Sequence, residues 1–141
     1  MRFLIEGTDE VRHLEYNGYF GGTLTAESMM REGAELVYDR KREVHIISLR
    51  DYARWSRLIE RLEKAEANMA AVIKRTMTRK NSEAINEIIE SETEFIEGIE
   101  ELPNAYEKIA DRIEEEIALP LFSRRRPMSG TIRKGKAANG Q

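Results

Sequence analysis

Residues 48–77 read SLRDYARWSRLIERLEKAEANMAAVIKRTM, the longest periodic segment of the chain. Ser48 places a hydroxyl where a helix N-cap needs an acceptor, and Asp51 puts a carboxylate three residues on, which is the logic of a capping box. Behind it Tyr52, Trp55, Ile59, Leu62, Glu66, Met69, Ile73 and Thr76 recur in alternating steps of three and four. That seven-residue seam, widened by Leu58 and Val72, predicts an amphipathic helix running to about Met77, roughly 40 Å long.

After it, Thr78–Ser82 is a short polar connection, with Ser82 placed to cap a second helix. Ile85, Ile88, Glu92, Phe95, Ile99 and Leu102 carry the same spacing, and Tyr106, Ile109 and Ile113 continue it past Pro103. A proline inside a helix loses a hydrogen bond and clashes with the preceding turn, so a break is expected near 103, loosened by Gly98. Two long amphipathic helices joined by a short connection form an antiparallel hairpin. Glu66 and Glu92 at seam positions argue against a long dry coiled coil unless each meets a cation or the surface.

On the N-terminal side, 2–6 and 12–16 read as short strands around a Gly7-Thr8-Asp9-Glu10 turn. Tyr19-Phe20 lies between glycines as an aromatic turn or contact. Thr25 suits the N-cap of a short helix through Met30, with Gly33 as its stop. Runs 35–38 and 43–47, joined by Asp39-Arg40-Lys41-Arg42, form the clearest hairpin in the chain. The expectation is an α+β fold: a small antiparallel N-terminal sheet packed on a long antiparallel helical hairpin. Residues 1–118 form the single domain, with the sheet and short helix in 1–49 and the hairpin in 50–118. Residues 119–141 are a flexible or partner-ordered basic tail.

The chain of 141 residues has a net charge of −3, but the charge is segregated. Residues 50–82 carry +5, residues 83–117 carry −11, and residues 118–141 carry six bases and no acid. A partner meets these blocks and not their average. With no cysteine, disulfides, thiolate catalysis and thiolate metal sites are excluded. No apolar run approaches a membrane span, and the N-terminal apolar run is too short for a signal peptide, so a cytoplasmic protein with no membrane partner is expected. Glutamine occurs once, at Gln141, while Glu and Arg dominate the charges, the direction taken by thermophilic proteins.

The usual chemical signatures are missing. His13 and His45, the only two histidines, fall on predicted strands, with no zinc-binding or di-iron spacing around them. There is no phosphate loop, dinucleotide fingerprint or nucleophile elbow. Glu90, Glu94, Glu97 and Glu101 at helical spacing read as a solvated face. No catalytic residue, cofactor or metal ligand is therefore assigned, and no enzyme activity is expected.

Candidate contacts lie in two places. Tyr52 and Trp55 sit among Arg50, Arg54 and Arg57, and aromatic residues with arginine are the types found at interface hot spots. The competing expectation is that Trp55 packs on the sheet with the arginines snorkelling around it. In the tail, Leu121 and Phe122 precede Arg124, Arg125, Arg126, Arg133, Lys134 and Lys136, an aromatic anchor beside a phosphate-neutralising arm. Arg40-Lys41-Arg42 at the hairpin tip reads as a solubilising turn or a minor phosphate contact.

These features point to a non-enzymatic regulator or adaptor docking on a larger protein complex, such as RNA polymerase or other nucleic-acid machinery. The surplus of acid on the second helical region offers a face to a basic partner. In outline, a small chain without cofactor motifs, with a helical hairpin and a charged tail, is similar to compact regulators that phages use against host machinery. The alternatives are direct nucleic-acid binding through the tail, or a homodimer or larger self-assembly through the helical seams.

Overall fold

The computed structural model describes residues 1–18 and 23–120. Strands β1 (Arg2–Ile5), β2 (Val11–His13), β3 (Val37–Asp39) and β4 (Val44–Ile47) form one sheet in the order β2-β1-β4-β3. The short helix α1 (Ala26–Arg31) lies between β2 and β3 in sequence. Thr25 caps α1, its hydroxyl accepting from the Ser28 N–H while the Ser28 hydroxyl accepts from the Thr25 N–H. Gly33, at φ 96°, ends the turn that follows, in the left-handed region that glycine enters without steric cost.

The class is α+β, with one correction to the sheet. β1 pairs antiparallel with β2, and β3 with β4, but the central pair β1–β4 is parallel, with Phe3, Leu4 and Ile5 opposite His45, Ile46 and Ile47. The two hairpin-like halves are joined through the chain that carries α1. That route brings β4 beside β1 in the same direction, a non-local choice with no marker in either strand.

Helix α2 (Leu49–Thr76) has the predicted extent. Ser48 caps it, accepting from the Asp51 N–H at 3.1 Å, while the Asp51 carboxylate accepts instead from the Glu35 N–H at 3.4 Å. Asn81 holds the turn after α2, its side chain donating to the Thr76 carbonyl and accepting from the Thr78 N–H. Helix α3 (Ser82–Thr93) follows, with Ser82 as its first residue and not its cap.

The second arm of the expected hairpin is two helices. The helical run stops at Thr93, residues 94–98 leave it, a 3-10 turn occupies Ile99–Glu101, and α4 (Leu102–Ile113) runs back, continuing through a wider π turn at Glu114–Ala118. Pro103 stands in the first turn of α4, where its missing N–H has no helical partner to lose. The direction of α4 is fixed by its cross-links to α2. Arg54 pairs with Glu100, Arg61 with Glu107 at 3.4 Å and Arg75 with Glu114 at 3.1 Å, ascending together, so α4 runs parallel to α2. Arg112 then bonds to Glu92 at 3.0 Å, tying α4 back to α3. The path is up, down and up.

One continuous core joins the layers. Phe3, Ile5 and Ile47 from the helix-facing side of the sheet meet Leu14, Tyr16, Leu24 and Met29. Trp55, Leu62, Met69, Ile85, Ile109 and Ile113 complete it from the three long helices. Of the seam residues, Trp55, Ile59, Leu62, Met69, Ile73, Ile85, Ile88, Tyr106, Ile109 and Ile113 lie inside this core. Among the described residues no helix is long and apolar enough to cross a membrane.

Candidate functional site

The aromatic–arginine cluster at the start of α2 splits into structural and surface members. Trp55 is fully buried in the core, so its ring offers nothing to a docking partner. Tyr52 is half-buried; its phenol donates to the His13 carbonyl at 3.1 Å, and the Arg12 guanidinium stands 5.3 Å from its ring centre. Arg54 lies over Trp55 at 5.7 Å, donates to the Glu32 carbonyl and pairs with Glu100. Arg50 and Arg57 are exposed, on either side of this set. The cluster therefore clamps the sheet layer to the helices; Arg50 and Arg57 face solvent, and Arg54, though paired with Glu100, keeps 40% of its side chain exposed. Leu121, Phe122, Arg124, Arg125, Arg126, Arg133, Lys134 and Lys136 lie outside the described residues, as does Tyr19-Phe20.

Beside Arg54 sits a junction that no sequence pattern announced. The Glu32 carboxylate, just past α1, accepts from the Ile99 N–H at 2.9 Å and the Glu100 N–H at 3.1 Å. It acts as the N-cap of the 3-10 turn that starts the return helix, satisfying two N–H groups that have no helical partner. Gly98 makes room for it, because a Cβ there would stand 2.7 Å from one carboxylate oxygen.

The seam acids are accommodated differently. Glu92 finds Arg112, which also holds Glu116 and thereby keeps the Glu116 carboxyl below its ordinary range. Glu66, half-buried, adjoins the Tyr16 and Tyr106 phenols. Burial pushes both phenols above their ordinary range; at Tyr16 the neighbouring Tyr106 and then Glu66 add to it.

The feature that projects from the fold is Phe95. In the expected register it belongs to the seam; in the structure it follows the end of α3 and is 81% exposed. Residues 82–101 contain eight glutamates and no base. Glu92 and Glu100 are paired with arginines, whereas Glu83, Glu87, Glu90, Glu94 and Glu97 are exposed and have no ion pair among the described residues. A shallow groove beside Phe95, between α3 and α4, is lined by Ser91, Glu92, Ile96, Asn104 and Lys108 among others. An exposed ring of this size carries on the order of 200 Å2 of apolar surface. The carboxylates of Glu92 and Glu101 line the groove with it.

Among the described residues no three His, Asp or Glu side chains converge to hold a metal ion. The chain matches no protein-family model, no curated protein and no solved structure.

Proposed function

We propose that this chain is a non-catalytic docking protein that presents α3 and the turn after it to a basic surface of a larger protein assembly. Phe95 supplies the anchor and the surrounding glutamates supply orientation and fast encounter. The observation that carries this reading is the exposure of Phe95 at the end of a helix whose acids are largely uncompensated. A buried Phe95 would have contributed to folding; an exposed one is free to bury itself in a partner. Nucleic-acid machinery, including RNA polymerase, suits the partner class because proteins that neutralise phosphates carry basic surfaces of this kind.

The division of labour follows from magnitudes. Burying the ring is worth about 2–3 kcal/mol, while each exposed carboxylate adds a salt-screened fraction of that. Phe95→Ala should therefore weaken capture of the partner by roughly 10- to 100-fold. Reversal of Glu90 and Glu94 to lysine should act chiefly on the association rate and its salt dependence. The test is affinity capture from the source cells with nuclease present, comparing the native chain with Phe95→Ala. Equal recovery of every captured protein by both forms would refute the proposal. Binding that requires nucleic acid and residues 119–141 would instead establish the direct nucleic-acid alternative.

A further inference from the structure

The face of the sheet turned away from the helices is also apolar: Leu4 and Val44 on it are buried, but both lie outside the core cluster between sheet and helices. The register aligns Val11, Leu4, Ile46 and Val37 as one row across β2, β1, β4 and β3, on the side opposite Phe3, Ile5 and Ile47. None of the four belongs to the core cluster. Leu4 is sheltered at 5% exposure, but Val11 is 42% and Val37 65% exposed, so the row ends in open aliphatic surface at both edges.

Charge is distributed about this row with opposite signs at its two sides. Along the strands in one direction lie Glu6 and Asp9, in and after the turn that ends β1. In the other lie Arg2, with His13 opposite it, and Arg42 from the turn before β4. Asp39, also on this side, is 3.7 Å from Arg42 and offsets part of its charge. Arg42, Glu6 and Asp9 border the same shallow depression over Leu4, Ile46 and Val37.

A two-fold axis running along the row, between two such faces, superposes each aliphatic residue on its own counterpart. It also reverses strand direction, so the acidic side of one copy meets the basic side of the other. From this self-complementarity we propose that the occupant of the outer sheet face is a second copy of the chain, forming an isologous four-on-four sheet sandwich. With strands about 4.8 Å apart the face is roughly 15–20 Å wide, and each copy covers roughly 300–400 Å2. That is under half of the ~800 Å2 per partner in a standard stable interface, so the dimer is weak and exchanges with monomer.

The test is sedimentation velocity of the full chain from about 10 μM to about 1 mM, a range that spans weak self-association. The native chain should shift from monomer towards dimer across it. Val37→Glu, at an exposed position that leaves folding intact, should remain monomeric throughout. Glu6→Lys and Arg42→Glu should each reduce dimer at least several-fold at about 1 mM, because each places like charges together, and the double variant should recover it. Circular dichroism on each variant confirms that the fold is retained. A native chain that stays monomeric overturns the proposal, as does a dimer unaffected by Val37→Glu. Failure of the double variant to recover overturns the two-fold arrangement.

Discussion

Replacing Gly98 by alanine tests how the helical layer is fastened to the sheet. Gly98 has φ −143° and ψ 161°, an extended conformation that alanine adopts readily, so the backbone itself resists nothing. The new Cβ would stand 2.7 Å from one Glu32 carboxylate oxygen and 3.0 Å from its carboxyl carbon. Contacts that close force the carboxylate end of Glu32 to shift, at the expense of its two bonds to the Ile99 and Glu100 N–H groups. Losing a cap of this kind costs about 1–2 kcal/mol. Glu32→Ala should cost a similar amount through the same bonds. With Glu32 already truncated, Gly98→Ala meets no clash and gains about 0.4–1 kcal/mol from the stiffer unfolded chain. The two substitutions should therefore be strongly non-additive, with a coupling of about 1–3 kcal/mol. Urea denaturation followed by far-ultraviolet circular dichroism on the four members of the cycle measures it. Additive costs, or a Gly98→Ala penalty unchanged in the Glu32→Ala background, would show that Gly98 and Glu32 act independently.

Other consequences are as direct. The single tryptophan, Trp55, is fully buried, so its emission should be blue-shifted and resist iodide quenching until unfolding; Trp55→Ala should cost about 3–5 kcal/mol in chemical denaturation. Tyr16 and Tyr106 ionise above their ordinary value of 10.0 because they are buried. Their contribution to stability is complete below that pH and falls as pH rises towards the folded ionisation, since the unfolded chain releases phenolic protons the folded chain retains. Ultraviolet titration should show these two phenols ionising only together with alkaline unfolding. Glu116 behaves in the opposite sense. Arg112 holds it below 4.5, so the pair's contribution is present above that pH and is lost as pH falls through the folded value. Carboxyl NMR of Arg112→Met should show Glu116 titrating higher than in the native chain.

Local signals carried most of the elements. Ser48 and Thr25 cap the helices expected of them, and the three-four spacing after Tyr52 delivers a helix of the expected length. These features depend on residues within a turn of one another, which is why they can be read from sequence. The reversal after α3 is different. Phe95, Ile99 and Leu102 keep the seven-residue register, so the pattern runs straight through a segment where the chain leaves the helix. Gly98 was legible as a weak point, but the residue that gives it meaning is Glu32, more than sixty positions away. The parallel β1–β4 pairing is invisible for the same reason: strand propensity does not name a partner.

For the candidate site, residue type was a poor guide to exposure. Trp55 and Arg54 have the chemistry of a hot spot but hold the fold together. Phe95 reads as core and stands in solvent, because the helix it would have belonged to ends two residues before it. The acidic block, in contrast, was visible as composition. Its partial neutralisation by Arg54, Arg61, Arg75 and Arg112 depends on the direction of α4.

The docking reading is tested most directly by photo-crosslinking inside the source cells, with a benzophenone amino acid at position 95 and, as a control, at the exposed position 57 on α2. A discrete protein adduct is expected from position 95, absent from position 57 and fading when Glu90 and Glu94 are reversed to lysine. No adduct from position 95, or the same adducts from both positions irrespective of those charges, would contradict the docking reading.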